Sequence, residues 1–191
     1  MKTKSLVLAA VIATAISAPT MAADWFVGGA VGYQQDTYKS KETESGKTTS
    51  EKFKEKDMSY QLRAGTYLND NNRVYGTYSY NSDDFAKQQS FLASYDYLIG
   101  LDAGNKLNWF VGATAGMTHT SPDAKELSSE NTFVWGGQTG LMYKISDKLS
   151  TEIGYRYLKQ DYDLKSSDDA GSTQFSLNDT QQVYLGVDYR F

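Results

Sequence analysis

The stretch QVYLGVDYRF, residues 182–191, decides the fold. Every second residue in it is apolar or aromatic: Val183, Leu185, Val187, Tyr189 and Phe191. The residues between them are Gln182, Tyr184, Gly186, Asp188 and Arg190. Alternation with a period of two is typical of a β-strand that has one apolar face. This segment is therefore interpreted as a strand with one greasy side and one polar side.

The same alternation occurs in seven further segments, at residues 25–33, 60–68, 74–80, 91–97, 109–117, 133–144 and 149–157. The connections between the eight segments alternate in length. Three are short, near residues 70, 103 and 147, and four are longer, at about 36–57, 81–88, 119–131 and 160–179. Short turns at one end and long loops at the other are the connectivity of an up-and-down membrane barrel.

The two faces of the strands differ in a way that separates a membrane barrel from a soluble, lipocalin-like one. One face is aliphatic or aromatic, and the other is small, polar or charged. An eight-stranded barrel has room inside only for packed side chains. The small, polar or charged face therefore belongs inside. Aromatic residues also gather at the strand ends. One group is Trp25, Tyr97, Trp109, Tyr143, Tyr189 and Phe191, and the other is Tyr33, Tyr60, Tyr80, Phe133 and Tyr157. Two such belts suit a bilayer with two interfaces. The sequence predicts an all-β, eight-stranded antiparallel up-and-down transmembrane β-barrel.

The first 22 residues have the order of an export signal. Lys2 and Lys4 precede the apolar run LVLAAVIATAISA, residues 6–18, and the small-residue end Thr20-Met21-Ala22 follows. The run is shorter than the roughly 20 residues of a spanning helix, which disfavours an N-terminal membrane anchor. We predict a signal peptide at residues 1–22 and a barrel domain at residues 23–191.

Composition excludes several function classes. The chain of 191 residues has 15 Tyr, 8 Phe, 3 Trp and only 2 Pro, which favours strands. It has no Cys, so neither disulfides nor thiolate chemistry are expected. The net charge of −4 argues against nucleic acid as a partner. No cofactor and no metal site are predicted, and a monomer is expected.

The segment 182–191 resembles the terminal strand of outer-membrane proteins, on the strength of Gly186, Tyr189 and the final Phe191. The stretches WFVGGAVGY (25–33), WFVGATAGM (109–117) and IGYRY (153–157) are similar to OmpA-like and opacity-type small barrels. The resemblance implies the outer membrane of a Gram-negative cell, with its lipid and lipopolysaccharide as surroundings. It also implies that the outer-membrane insertion machinery reads Gly186, Tyr189 and Phe191. The peptidoglycan-binding domain of full OmpA proteins is expected to be missing, because the chain stops at the last strand.

Charged residues fall on the inward face of the predicted barrel. They are Arg63, Asp96, Glu152 and Arg156, with Lys144, Asp188 and Arg190 expected beside them. Buried ions are expensive unless they are paired and hydrogen-bonded, so mixed signs predict a paired network that fills the lumen. The alternative is that the same charges line a narrow gated channel.

The lone histidine, His119, is the one candidate for acid–base catalysis. His119 and Ser121 form a His-x-Ser pair similar to that of outer-membrane lipid A deacylases, in which a carboxylate about a dozen residues later orients the histidine. Here that spacing falls near Phe133, whereas Glu126 and Glu130 come earlier. We therefore predict no catalytic residue, with a lipid A-modifying enzyme as the alternative.

The long connections are polar. Residues 36–57 hold six cations and six anions, which predicts a solvated, nearly neutral loop. Residues 160–179 are acidic, but Asp161, Asp163, Asp168 and Asp169 lack the spacing of a dedicated calcium loop. These loops are where an extracellular ligand would bind. The sequence thus favours a non-catalytic structural or surface-interaction role, in adhesion, host or phage contact, or stress resistance.

Overall fold

The computed structural model describes residues 24–44, 47–82, 86–122, 130–168 and 171–191. These residues form eight strands: β1 (Asp24–Glu44), β2 (Lys47–Asn69), β3 (Asn72–Ser82), β4 (Ala86–Gly100), β5 (Leu107–Pro122), β6 (Glu130–Lys144), β7 (Leu149–Asp168) and β8 (Gly171–Arg190). The predicted signal peptide, residues 1–22, lies outside the described residues. Within the described part of the chain, no helix is long and apolar enough to span a membrane.

The strands pair in chain order and close into a barrel, which confirms the predicted fold. Each strand is antiparallel to the next, and β1 also pairs with β8 from Phe26↔Arg190 to Thr43↔Ser172. Closure gives the backbone of every strand a neighbour on both sides at the height of the barrel wall, so no strand edge there is left without hydrogen-bond partners.

The three predicted short turns are confirmed, and polar side chains cap them. At residues 70–71, the Asn69 Oδ1 accepts a hydrogen bond from the Asn71 amide at 2.9 Å. At residues 101–106, the Asp102 carboxylate accepts from the Leu107 amide at 2.7 Å, which lowers the pKa of that carboxyl below its usual value. Asn105 in the same turn has a φ of 49°, a left-handed conformation that asparagine tolerates. These turns lie at what we call the short-turn end.

The prediction of long loops at 36–57 and 160–179 is wrong. β1 continues to Glu44 and β2 starts again at Lys47, while β7 continues to Asp168 and β8 starts at Gly171. The sequence pattern misses these strands because it depends on one apolar face. Beyond the barrel wall most positions are charged or carry hydroxyl groups, and apolar residues such as Tyr38, Phe53 and Leu177 are too sparse to alternate, yet the backbone ladder continues.

The extended strands are neighbours and form one sheet above the barrel. β2 pairs with β3 only from Ser59 downward, and β6 pairs with β7 only up to Gln160. In contrast, β1 stays paired with β2 up to Glu44↔Lys47 and β7 with β8 up to Asp168↔Gly171. We call residues 36–44, 47–58, 161–168 and 171–180 the tall sheet. Nine residues of β1 alone rise roughly 30 Å.

The inward and outward faces agree with the sequence pattern. Phe26, Leu98 and Phe110 are buried inside the barrel, whereas Leu62 is 67% exposed on its outer surface. The outer surface carries exposed aromatic residues toward both ends, including Trp25, Tyr97, Trp109, Tyr143, Tyr189 and Phe191 at the short-turn end and Tyr33, Tyr60 and Phe133 at the other. An apolar wall between two aromatic belts is the surface that a bilayer requires.

Candidate functional site

Buried charges occupy the lumen toward the short-turn end. We call Arg63, Arg73, Asp96, Glu152 and Asp188 the arginine cluster; all five residues are at most 3% exposed. Arg63 donates from Nη1 to Glu152 Oε1 at 2.5 Å and from Nε to Asp188 Oδ1 at 2.8 Å. One arginine thus joins carboxylates from two neighbouring strands, β7 and β8.

Arg73 is the centre of the cluster. Its Nη2 lies 2.8 Å from Asp96 Oδ2, and its Nη1 lies 2.8 Å from Glu152 Oε2 and 3.6 Å from Asp188 Oδ2. The guanidinium also sits 5.1 Å from the centre of the Phe110 ring. The sequence interpretation missed Arg73 because it started β3 at Val74, after the turn-forming asparagines. Extending the alternation by one residue would have placed Arg73 inside.

Of the four residues predicted to form an interior network, the structure places Arg63, Asp96 and Glu152 in ion pairs. Arg156 is equally buried but meets amide oxygens: its Nε donates to Gln138 Oε1 at 2.9 Å. Gln138 in turn donates from Nε2 to Asp96 Oδ1 at 2.5 Å, so it links Arg156 to the cluster. The sequence pattern places Gln138 on the polar face of its strand, but it does not predict that this neutral amide bonds to Arg156.

Glycines make room for these long side chains. A Cβ at Gly112 would lie 2.0 Å from Asp96 Oδ1, and one at Gly28 would lie 1.9 Å from Asp188 Oδ1. A Cβ at Gly186 would lie 2.2 Å from Arg63 Nη2. The missing side chains of these glycines therefore leave the space that the charged side chains occupy. Gly186, predicted as part of an insertion signal, faces inward and accommodates the Arg63 guanidinium.

The lumen is filled above and below the cluster as well. An apolar group packs beside the cluster: Phe26, Ala30, Tyr67, Tyr75, Leu98, Phe110, Met142 and Tyr184. Toward the tall sheet, amides and hydroxyls hydrogen-bond across the barrel; Gln182 Nε2 donates to Ser59 Oγ at 2.6 Å, and Gln61 Nε2 donates to Gln182 Oε1 at 2.9 Å. This arrangement can hold the barrel in one register.

The remaining predicted interior charges lie at the short-turn mouth. Arg190 pairs with Asp24 at the rim, and its guanidinium lies 4.5 Å from the centre of the Tyr67 ring. Lys144 lines the same mouth and is half-buried. These two cations are therefore rim groups and not members of the arginine cluster.

Tyr189 and Phe191, the other residues of the predicted insertion signal, lie on the outer surface. Their rings meet edge to face with centroids 5.7 Å apart, and Phe191 is 66% exposed. The Phe191 amide donates to the Trp25 carbonyl at 3.0 Å, which holds the end of β8 against the start of β1. The insertion signal stays a prediction.

Replacing Phe191 by serine is expected to lower the amount of folded barrel in the membrane fraction several-fold, because an exposed aromatic of the belt is lost at the end of β8. Quantitative blotting of membrane fractions measures the change. Val183→Ser is the matched control, since Val183 is an exposed apolar residue of the same strand. Equal membrane levels for the two variants would show that Phe191 contributes no more to assembly than another exposed apolar residue of β8.

His119 and Ser121, the candidate catalytic pair, belong to β5. The His119 Nδ1 lies 2.8 Å from the Oδ1 of Asn131, its cross-strand neighbour on β6. An amide therefore stands where a carboxylate would orient a catalytic histidine. Glu126 and Asp169 lie outside the described residues, as do the side chains of Ser121, Glu130, Asp161, Asp163 and Asp168. No group of three or more His, Cys, Asp or Glu that could hold a metal is found in the described part of the chain.

Comparison with known proteins agrees with this geometry. The family model for the outer membrane protein beta-barrel domain matches residues 7–191. The 25 kDa outer-membrane immunogenic protein of Brucella canis is 26% identical over 111 residues, which are 58% of this chain and 51% of that protein. The chain thus spans about half the length of the curated relatives it matches.

Solved structures show the same architecture. The outer membrane protein OprG of Pseudomonas aeruginosa matches with a TM-score of 0.64 at 15% identity, covering 89% of this chain and 96% of that one. Neisserial surface protein A matches with a TM-score of 0.57 at 20% identity, covering 85% and 99%. Outer membrane protein H of P. aeruginosa matches with a TM-score of 0.56 at 27% identity, covering 88% and 99%. With its closed eight-stranded wall and apolar outer surface, the chain belongs to the outer membrane protein β-barrel domain family and resides in the outer membrane of a Gram-negative cell.

Proposed function

We propose that the protein is a non-catalytic surface protein whose tall sheet contacts a partner outside the cell, in adhesion or in contact with a host or a phage. The observation that carries this proposal is the one-sided extension of β7, β8, β1 and β2 beyond the other four strands. Short turns of such barrels face the periplasm, so the tall sheet extends outward from the cell. The related Brucella proteins are named as immunogenic, which fits an exposed surface.

The edges of the tall sheet support this role. Among the described residues, the pairings of β3 with β2 begin at Ser59, so the outer edge of residues 47–58 has no strand beside it. The edge of residues 161–168 on β7 is open in the same way, because β6 pairs only up to Gln160. Open edges can accept a strand from a partner through main-chain hydrogen bonds. The lysines and acids along these edges are the residues that discourage unselective pairing.

Two observations favour this proposal over an enzyme or a channel. The His119 Nδ1 lies 2.8 Å from the Oδ1 of Asn131, and a neutral amide polarises a histidine less than the carboxylate of a hydrolytic triad does. The packed arginine cluster and the amide layer leave the described lumen filled with side chains, which argues against a continuous water path. A barrel of eight strands with so full an interior is better suited to presenting a surface than to transport.

Shortening both tips of the tall sheet is the test. One variant replaces residues 40–51 and 165–174 by tight two-residue turns, and the matched control shortens residues 123–129, the segment of sequence between β5 and β6. Adhesion to host cells, phage adsorption and survival in serum are compared in cells producing equal membrane levels of each protein. We expect the tip variant to lose at least one of these properties by tenfold or more, on the order of 1.4 kcal/mol in binding, while the control keeps it.

Two outcomes would contradict the proposal. One is a tip variant that matches the intact protein in all three assays. The other is a change in the acyl chains of lipid A, measured by mass spectrometry, between cells with the intact protein and cells with His119→Ala. The second result would replace the surface role by the enzyme alternative.

A further inference from the structure

Two stretches of the barrel wall repeat each other. Residues 25–32 are WFVGGAVG and residues 109–116 are WFVGATAG, which agree at five of eight positions. The first stretch belongs to β1 and the second to β5, so the repeat divides the barrel into β1–β4 and β5–β8. In both stretches the phenylalanine is buried and is the register partner of a glycine on the next strand, Gly65 or Gly140. β1 and β5 therefore occupy equivalent places in the wall.

An arginine bridges over β1 at the first stretch. Gly28 is the register partner of Arg63 on β2 and also of Asp188 on β8. Arg63 Nε donates to Asp188 Oδ1 at 2.8 Å, although β1 lies between their two strands. A Cβ at Gly28 would lie 1.9 Å from that same oxygen, so the bridge requires a residue without a side chain on β1. Arg63 Nη1 reaches one strand further, to Glu152 Oε1 on β7 at 2.5 Å.

Neutral bridges accompany the arginine further along β1. Gln182 of β8 donates to Ser59 Oγ of β2 at 2.6 Å and accepts from Gln61 Nε2 of β2 at 2.9 Å. A Cβ at Gly32 on β1 would lie 2.8 Å from Ser59 Oγ, so a second glycine leaves room for these bonds. The inner side of β1 is thus crossed by side chains of β2 and β8 over much of its height in the lumen.

The equivalent bridge over β5 has a neutral donor. Gly112 is the register partner of Asp96 on β4 and of Gln138 on β6, and Gln138 Nε2 donates to Asp96 Oδ1 at 2.5 Å. The cation of Asp96 is Arg73 on β3, whose Nη2 lies 2.8 Å from Asp96 Oδ2. Because β3 and β4 are neighbours on one side of the β4–β5 pairing, this ion pair does not cross that pairing.

The two equivalent pairings also differ in what joins their strands. The turn at residues 101–106 connects β4 to β5, whereas β1 and β8 are the first and last described strands and are not consecutive in the chain. We call the β1–β8 pairing the seam. Ion contacts link Arg63 and Arg73, on β2 and β3, to carboxylates of β7 and β8 on the other side of the seam. The charged bridge thus occurs at the pairing that has no connecting turn.

We propose that Arg63 is a strap that holds the seam shut by binding the carboxylates of Asp188 and Glu152 from across β1. Separation of β1 from β8 would draw the guanidinium away from both carboxylates, in a lumen that gives these ions little water in exchange. The equivalent separation of β4 from β5 costs less, because Asp96 keeps its cation. The strap therefore resists sideways opening of the wall at the seam in particular. This inference does not rest on the proposed surface role.

The test measures local opening of the wall in the full chain, refolded in dodecylphosphocholine micelles. Hydrogen exchange of single backbone amides, followed by nuclear magnetic resonance, reports how often each strand pairing opens. Arg63→Gln is expected to accelerate exchange in the β1–β8 ladder roughly tenfold more than in the β4–β5 ladder. One amide of the seam to follow is that of Phe191, which donates to the Trp25 carbonyl at 3.0 Å. A general loss of stability would accelerate both ladders alike, so the ratio isolates the strap.

The repeat supplies a matched pair of variants. Asp188→Asn and Asp96→Asn each remove one buried carboxylate that lies against a glycine of the repeated stretch. Only Asp188→Asn should accelerate exchange selectively at the seam, because only that carboxylate binds a cation across it. Arg63→Lys keeps the charge but loses the planar fork that binds two carboxylates, so it should fall between the parent and Arg63→Gln. Unheated and boiled samples on gels verify that each variant folds.

Three outcomes would overturn the proposal. One is equal acceleration of the β1–β8 and β4–β5 ladders in Asp188→Asn, which would make the strap a general stabiliser. Another is a preference for the seam in Asp96→Asn as strong as that in Asp188→Asn, since any buried carboxylate would then act alike. The third is unchanged exchange at the seam in Arg63→Gln. If Arg63→Gln does not fold, Asp188→Asn and Arg63→Lys decide by the same ratio.

Discussion

Replacing Glu152 by glutamine is expected to lower the free energy of unfolding of the barrel by about 3–5 kcal/mol. Glu152 holds Arg63 through Oε1 and Arg73 through Oε2, at 2.5 and 2.8 Å. All three side chains are shielded from water. Counting Arg156, this end of the lumen holds three buried arginines and three buried carboxylates, so the loss of Glu152 leaves one buried positive charge uncompensated. Glutamine keeps the shape, so the loss reports charge and not packing. Urea unfolding in lipid vesicles, followed by tryptophan fluorescence, measures the difference.

The rim pair between Asp24 and Arg190 supplies the control. Its side chains are 51% and 23% exposed, so Asp24→Asn should cost no more than about 1 kcal/mol. Combining Glu152→Gln with Arg73→Gln should recover part of the lost stability because the lumen becomes neutral again. A Glu152 variant as stable as the Asp24 variant would show that the arginine cluster does not stabilise the fold.

Replacing Gly112 by valine is expected to prevent folding of most of the chains, or to destabilise the barrel by about 3 kcal/mol or more. A Cβ at this position would lie 2.0 Å from Asp96 Oδ1 and 2.3 Å from the Tyr95 carbonyl oxygen. The carboxylate can move only by leaving Arg73, and the carbonyl belongs to the β4 backbone, which cannot retreat without breaking the ladder. The folded fraction is read from the heat-dependent shift in gel mobility.

Gly76→Val is the matched control for Gly112→Val. Gly76 faces outward on β3, and the nearest atom to a Cβ there is the Leu92 carbonyl oxygen at 3.9 Å. The same added carbons then meet lipid, so folding should stay near the parent level. Comparable losses at the two positions would mean that glycine is needed in these strands for a reason other than room for the arginine cluster.

The strands and their faces could be predicted from the sequence because apolar and polar residues alternate along each strand in the wall of a membrane barrel. In β8, for example, Val183, Leu185 and Val187 alternate with residues that the structure buries. Alternation ends where apolar residues become sparse, so residues 36–57 have the sequence pattern of a loop although they are paired strands. Backbone hydrogen bonds carry no residue preference, and composition alone does not reveal them.

The sequence predicts that charged residues lie inside the barrel, but it does not predict which of them pair. Parity assigns Arg63, Asp96 and Glu152 to the lumen, but it does not show which strands bring them together, since that depends on register across the whole barrel. Arg73 was missed because it follows directly on a turn. That Arg156 bonds to Gln138 could not be foreseen either, because the two lie 18 residues apart and meet only through the β6–β7 register.

The tall sheet is composed of the first two and the last two strands of the chain, and they become one surface only through the pairing of β1 with β8. Phe26 and Arg190 are partners at one end of the β1–β8 pairing, and they lie close to the two ends of the described sequence. Bringing such distant segments together costs chain entropy before their contacts can stabilise the fold. The tall sheet is thus completed by the same event that seals the barrel, so a half-inserted chain would carry two separate hairpins and none of the joint sheet.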